Sequence, residues 1–435
     1  MGAIIENDFF AIIKPFHYFF CIFGHRKFNI HNNNISVIKV NSVIVMFVTD
    51  AFQLFLYLAA MLYTSFSTDF LFKMYSVSYL CYVIHFFVYS VVTYVLKNMN
   101  VELILRLQSI DRLLYDKNDT FKCKILSWVM CGVTFLFYLI FISIKLCVDN
   151  RWNPIRALFV SITLYPNIEL AYYVFILVFL GLKLDRLIKV TSQIDFYDID
   201  KEAIGKSKRI LDLYNEIIDG INNTIKTSKL IILTHVVAMF FQTIIYVQGR
   251  IHSAKNGMDL NFSETKGQVH FFGILVWILK DLFVETALCL ASEYVYQKIA
   301  ILMTELRPNH SSSLLNYCIK NIRRSVKVKF HKLPGLHGGR QPSSSSWPSH
   351  YDLHYCFTAV CLHLIIAKKL PTSFTKTCDF PAKLKCNVKN AKRYLWVNFQ
   401  KLEGCGVFTV DGALPLKMGS LVAYYTIVLL QFNFL

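Results

Sequence analysis

Charge is scarce in this chain. Only 17% of its 435 residues are Asp, Glu, Lys or Arg, whereas 55% are hydrophobic and 15% aromatic, and the mean hydropathy is +0.43. That balance leaves more apolar surface than one soluble core could hide, and a bilayer is the simplest place to put it. The local signatures of enzyme chemistry are also missing. There is no Gly-x-Ser-x-Gly elbow, no phosphate-binding glycine loop and no His-Glu-x-x-His, so neither an enzyme nor a cofactor is expected. The 12 cysteines show no paired metal spacing, which argues against a disulfide framework and a zinc site. The net charge of +18 comes with no nucleic-acid recognition motif; its basic residues lie between apolar runs and are suited to anionic lipid headgroups. Residues 9–23 are apolar but contain Lys14, Pro15 and His17 and follow Glu6 and Asp8. They read as a short interfacial or cytoplasmic helix rather than a cleavable signal.

What the chain has is long apolar runs, each near the 20 residues that cover about 30 Å of hydrocarbon at 1.5 Å per residue. Seven spans are expected, at 42–64, 74–96, 125–147, 155–182, 230–247, 269–291 and 417–434. The fold class is therefore an all-α integral membrane protein with seven transmembrane helices. The fourth run contains Pro166 and Glu169 and the sixth contains Lys280, Asp281 and Glu285, groups that must face a bundle interior or a watery cavity, because lipid would leave them unsatisfied.

Lys and Arg give the orientation. Lys97, Arg106, Arg112, Lys117, Lys122 and Lys124 follow the second run, and Lys183, Arg186, Lys189, Lys201, Lys206, Lys208 and Arg209 follow the fourth; the alternate connections hold few. By the positive-inside bias, the N-terminus is inside and the C-terminus outside. That is the reverse of a G-protein-coupled receptor, and no duplicated half with broken helices suggests a transporter. His235 and His270 lie on apolar segments and read as hydrogen-bonded structural histidines. Asp111-Arg112 and Asp185-Arg186 read as solvated faces.

The last run carries the most specific pattern. Tyr425 is followed by five residues and then by Gln431-Phe432, three residues before the end at Leu435, and 405–416 leads into it as Cys-Gly-Val-Phe-Thr-Val-Asp-Gly-Ala-Leu-Pro-Leu. Together these resemble the C-terminal signature of the insect gustatory receptors, with Tyr424 standing where that family usually has Thr. The resemblance implies a ligand-gated, poorly selective cation channel of four subunits, homomeric or mixed with related receptors, in a sensory-neuron plasma membrane. In it the last helix of each subunit lines the pore and the first six surround a ligand cavity opening outward. By the motif match Phe432 is a gate or constriction residue, Gln431 its pore-facing neighbour and Tyr425 a packing and hydrogen-bonding residue; an apolar ring can close a pore by dewetting. An odorant-type receptor of the same superfamily is the alternative.

The implied division of the chain is a cytoplasmic segment 1–41, a six-helix ligand-binding bundle 42–291, a cytoplasmic loop and pre-pore helix 292–416 and a pore-lining last helix 417–435. Tyr79, Tyr165, Gln242, Tyr246, His270 and Trp277 fall toward the outer ends of the bundle, where amphipathic side chains suit a small tastant. Thr426 stands where sugar-type members tend to carry an acidic residue, which leans toward bitter compounds or plant metabolites. Asn261, in Asn-Phe-Ser, is a glycosylation candidate. Residues 332–381 hold Pro-Gly, Gly-Gly and four consecutive serines, and read as an insertion or gene-model artefact.

Overall fold

The computed structural model describes residues 3–65, 70–148, 163–192, 201–255, 265–305, 399 and 401–434, together with side chains over most of those stretches. Residues 332–381 and Asn261 lie outside the described set. Tyr79, His270 and Phe432 are placed on helices but their side chains lie outside it.

The described chain is helical, with five strands of two or three residues. An N-terminal helix α1 (Asn7–Ile22) precedes α2 (Val40–Ser65), α3 (Phe70–Val95), α4 (Lys97–Leu113), α5 (Lys117–Val148), α6 (Leu164–Ser192), α7 (Lys201–Lys255), α8 (Thr265–Glu305) and α9 (Leu414–Phe434). The described part of each of the seven apolar runs lies on its own long helix. Among the described residues, five helices are long and apolar enough to cross a bilayer, over Val40–Ala59, Lys117–Ile144, Leu164–Thr191, Asp212–Gly249 and Leu414–Gln431. Helices α3 and α4, bent by 72° at their junction, make a sixth candidate. Over its described side chains, from Leu275 on, helix α8 carries Lys280, Asp281 and Glu285 within its apolar run.

Helix α6 is the axis of the fold: 89% of its apolar span is buried, against 11% for α9. It packs chiefly on α8 and also on α5 and α7. Pro166 does not break it. The residue lies in the first turn, where its missing N–H has no intrahelical partner to lose. Glu169, Asp281 and Glu285 all point into the protein, as their cost in lipid requires.

Helix α1 is drawn into the bundle rather than left at its edge. Its face of Phe9, Ile12, Ile13, Phe16 and Phe20 is buried against α5 and α6, with Phe9 edge-on to Phe179 and Phe16 edge-on to Tyr172. A small antiparallel sheet seats it. Its order is β1 (Ala3–Ile4), β3 (Asn34–Ser36), β2 (Asn29–His31), and Asn32 and Asn33 make the two-residue hairpin turn at φ 48° and 61°. Both turn positions need the left-handed region, which asparagine tolerates better than most residues.

Two expectations about charge change. The stretch after the second apolar run is helix α4, not a loop, and its Asp111 is buried with Lys183 Nζ 2.6 Å away, so only Arg112 of that pair is solvated. Asp185 is a tie point as well, 2.6 Å from Lys298 and 3.3 Å from Lys189. These ion pairs join α4 to α6 and α6 to α8.

Candidate functional site

Four helices converge on one hydrogen-bonded tyrosine at the end of the bundle where α3 and α8 begin and α5 and α7 end. Tyr82 of α3 donates to Gln242 Oε1 of α7 at 2.8 Å and accepts from Trp277 Nε1 of α8 at 3.1 Å. All three side chains are buried. A buried phenol or indole needs a polar partner for its tip, and here each tip serves the other. The ring of Trp277 is flanked by Phe141 and Tyr138 of α5, at 4.9 and 5.6 Å.

A second tyrosine continues the cluster. Tyr138 donates to the Thr163 carbonyl at 2.9 Å and accepts from Asn167 Nδ2 at 2.6 Å and from Lys280 Nζ at 3.2 Å. Lys280 also lies 4.0 Å over the Trp277 ring and 2.6 Å from Asp281. A carboxylate and an aromatic face together offset the cost of holding this ammonium away from water. The result is a polar, aromatic patch assembled from α3, α5, α6, α7 and α8.

The structure thus brings together Gln242 and Trp277, two of the residues singled out in the sequence. Tyr246 is half-buried one turn beyond Gln242 on α7. Tyr165 belongs elsewhere: it donates to Glu169 at 3.3 Å and packs on His25 at 4.6 Å and Phe86 at 5.3 Å. Around it lies an ionic clasp that sequence reasoning missed. Lys27, from the segment after α1, sits 2.5 Å from Glu169, donates to Tyr173 Oη at 2.9 Å and faces the rings of Tyr172 and Tyr173 at 4.5 and 4.3 Å. His235, expected to be a hydrogen-bonded structural histidine, instead leaves Nε2 without a hydrogen bond, its ring 5.6 Å from that of His85.

The last helix has a different character. Tyr424 is 63% exposed, Leu430 and Gln431 are exposed, and Tyr425 packs edge-on against Phe240 of α7 at 5.6 Å. Its entry is held tightly. Strands β4 (Glu403–Gly404) and β5 (Phe408–Thr409) form a hairpin whose turn places Cys405 and Gly406 at φ 51° and 78°. Asp411 then accepts from Ala413 N at 3.0 Å and from Thr409 Oγ1 at 3.2 Å, closing the start of α9. Tyr296 of α8 fastens this lead-in, accepting from Leu402 N at 2.7 Å and donating to the Val410 carbonyl at 3.4 Å. Burial pushes the Tyr296 phenol up to about 12, so it keeps its proton, and with it the donated bond, at any physiological pH.

A charged cleft of about 290 Å³ lies at the other end of the bundle, between α5 and α6. Its charges answer one another: Arg186 pairs with Asp116 at 2.9 Å, and Asp185 with Lys189. The Asn118 backbone N–H and then Arg186 hold the Asp116 carboxyl below the usual carboxylate range.

The whole arrangement has solved counterparts. The structure of the insect olfactory receptor OR5 from Machilis hrabei matches 98% of this chain and 100% of its own at a TM-score of 0.59 and 13% identity. Its complex with eugenol matches over the same shares at a TM-score of 0.54 and 13% identity. No family model matches the chain, and no curated protein matches it. The chain accordingly shares the fold of the insect olfactory receptor OR5.

Proposed function

We propose that this chain is a ligand-gated, poorly selective cation channel of the gustatory receptor kind, detecting small tastants, more in the range of bitter compounds and plant metabolites than sugars. The observation that carries the reading is the placement of the C-terminal motif. Tyr425, Gln431 and Phe432 lie on the helix whose apolar span is, among the described residues, the least covered by its own chain, 11% buried against 17% for α5 and 22% for α2, within a fold shared with an insect olfactory receptor. A helix so little covered suits a shared pore wall in a four-subunit assembly, with the N-terminus inside and the C-terminus outside.

In this reading all seven long helices cross the plasma membrane of a sensory neuron, the charged face of α8 turning inward. The Tyr82–Gln242–Trp277 cluster is the ligand site, and Tyr296 couples α8 to the lead-in of α9. Gln431 faces the permeating ions and Phe432 closes the pore. Tyr79 and His270 lie on the same two helices as Tyr82 and Trp277 and belong to the surroundings of that site. An odorant-type channel is the second reading, favoured by the likeness to OR5, which binds eugenol.

The test is current from cells expressing this chain alone and with related receptors, challenged separately with water-soluble bitter compounds and with eugenol-like volatiles. Cation current evoked by the first group supports a taste channel. Current from volatiles only supports the odorant reading, and no current at confirmed surface density would count against the channel.

A further inference from the structure

Among the described residues, three buried carboxylates come with a lysine: Asp111 with Lys183, Glu169 with Lys27 and Asp281 with Lys280. Asp50 and Glu285 do not, and Asp50 has only the buried imidazole of His25 beside it, 3.5 Å away. Glu285 has no ion-pair partner among the described residues. It is 0% exposed, and neither of its carboxylate oxygens has a hydrogen bond.

Its place in the fold gives the vacancy a use. Trp277, Asp281 and Glu285 follow one another at four-residue steps on the buried face of α8, so Glu285 sits about 12 Å along the axis from the indole that anchors the Tyr82 cluster. Further unfilled polar atoms lie in the same bundle: both ring nitrogens of His85 on α3, and His235 Nε2 and Gln242 Nε2 on α7. Buried polar atoms are normally satisfied by protein, water or ligand, and a run of unmet ones within one bundle marks a place shaped for something else. Charge then narrows the choice. Lys280 and Asp281 neutralise each other, which leaves Glu285 as an acidic group with no cation of its own.

We propose that Glu285 is the anionic floor of the ligand site and that the ligand class it takes is an organic ammonium with an apolar or aromatic body. The ammonium supplies both the N–H donors that the two oxygens lack and the missing positive charge, while the body lies toward Tyr82 and Trp277. A neutral alcohol supplies a donor without the charge. This inference rests on the ligand-site reading above and adds the chemistry of what is bound.

The experiment measures equilibrium binding to the full chain in lipid nanodiscs by calorimetry, with 4-phenylbutylamine and its neutral counterpart 4-phenyl-1-butanol. The amine should bind about tenfold or more tightly than the alcohol, a ratio that a single desolvated charge pair supplies. Glu285→Gln should abolish that preference, bringing the two affinities within about twofold of each other. If Glu285→Gln yields no monodisperse protein, Glu285→Asp decides instead, since drawing the carboxylate back by one methylene should weaken the amine several-fold more than the alcohol. Wild-type protein that does not distinguish the two probes, or a variant that keeps the full preference, overturns the proposal. Because binding is read without current, amine selectivity in a protein that conducts nothing would leave the ammonium site standing and sink the channel reading; currents evoked equally by both probes would do the reverse.

Discussion

The ammonium of Lys27 lies 2.5 Å from a carboxylate oxygen of Glu169, both side chains sealed from solvent, and the two residues belong to segments far apart in sequence. The pair pins the stretch between α1 and the small N-terminal sheet to the central helix of the bundle. Next to it His25 is held between Ser90 Oγ at 3.2 Å and Asp50. The N-terminal segment is thus a structural member of the bundle.

Breaking this pair from one side should be costly. Lys27→Met leaves Glu169 buried without its cation, and Glu169→Gln does the same to Lys27, each lowering stability by about 3–5 kcal/mol. The double variant Lys27→Met/Glu169→Gln should recover much of the loss. Thermal unfolding of the detergent-solubilised chain reads this directly. Losses that simply add would mean that the two groups do not answer one another.

The Tyr82 hydroxyl makes a sharper test of the upper cluster. Tyr82→Phe removes only one oxygen but leaves Trp277 Nε1 and Gln242 Oε1 without their partner, a penalty of about 1–3 kcal/mol for each buried group. The expected result is a shift of about tenfold in the concentration giving half-maximal current, read on current normalised to surface protein. An unshifted response would remove Tyr82 from the ligand site.

Much of the helical framework could be read from the chain, because apolar runs near 20 residues have few alternatives. The inward direction of Glu169, Asp281 and Glu285 followed from the cost of putting them in lipid. Gln242 and Trp277 stood out as amphipathic groups on apolar helices, and they do meet. Tyr165 has the same signal and does not join them, since which face of α6 meets which neighbour is fixed by packing that no local pattern encodes. Lys27 and His25 were illegible for a related reason: they lie in a short polar stretch without periodicity, and their partners stand on distant helices. Tyr82 could have been found by the same argument as Trp277, being a polar-tipped ring inside an apolar run.

In the proposed channel, Phe432→Ala should raise ligand-independent leak, because a ring of four phenyl groups would no longer dewet the constriction. Gln431→Leu should instead lower conductance or alter selectivity. Loss of a mere packing residue typically lowers stability by about 3 kcal/mol, and with it surface expression, without opening anything. Leak normalised to surface protein separates the two. Normal closure at normal density in Phe432→Ala would take the gate away from that residue.

Coupling should run through Tyr296. Replacing it with Phe orphans Leu402 N–H and the Val410 carbonyl, and should weaken the efficacy of a bound ligand while leaving its affinity within about twofold, since the change lies away from Tyr82. Paired binding and current measurements check this. A parallel loss of affinity would place Tyr296 in the ligand site or in general stability instead.

Orientation is open to a direct test. An epitope at the N-terminus should stain only after permeabilisation and one at the C-terminus without it. Surface staining of the N-terminal tag on intact cells would reverse the topology.

Helix α7 is unbroken for 55 residues, which at 1.5 Å each makes a rod of about 80 Å. The hydrocarbon layer accounts for less than half of that length. A rod held near its middle works as a lever: a tilt of only about 5° would carry its far end some 3–4 Å sideways for a half-length of about 40 Å. Because α7 touches α3, α4, α6 and α9 along its course, a slight adjustment around Gln242 can be delivered, magnified, to parts of the molecule that never meet the ligand.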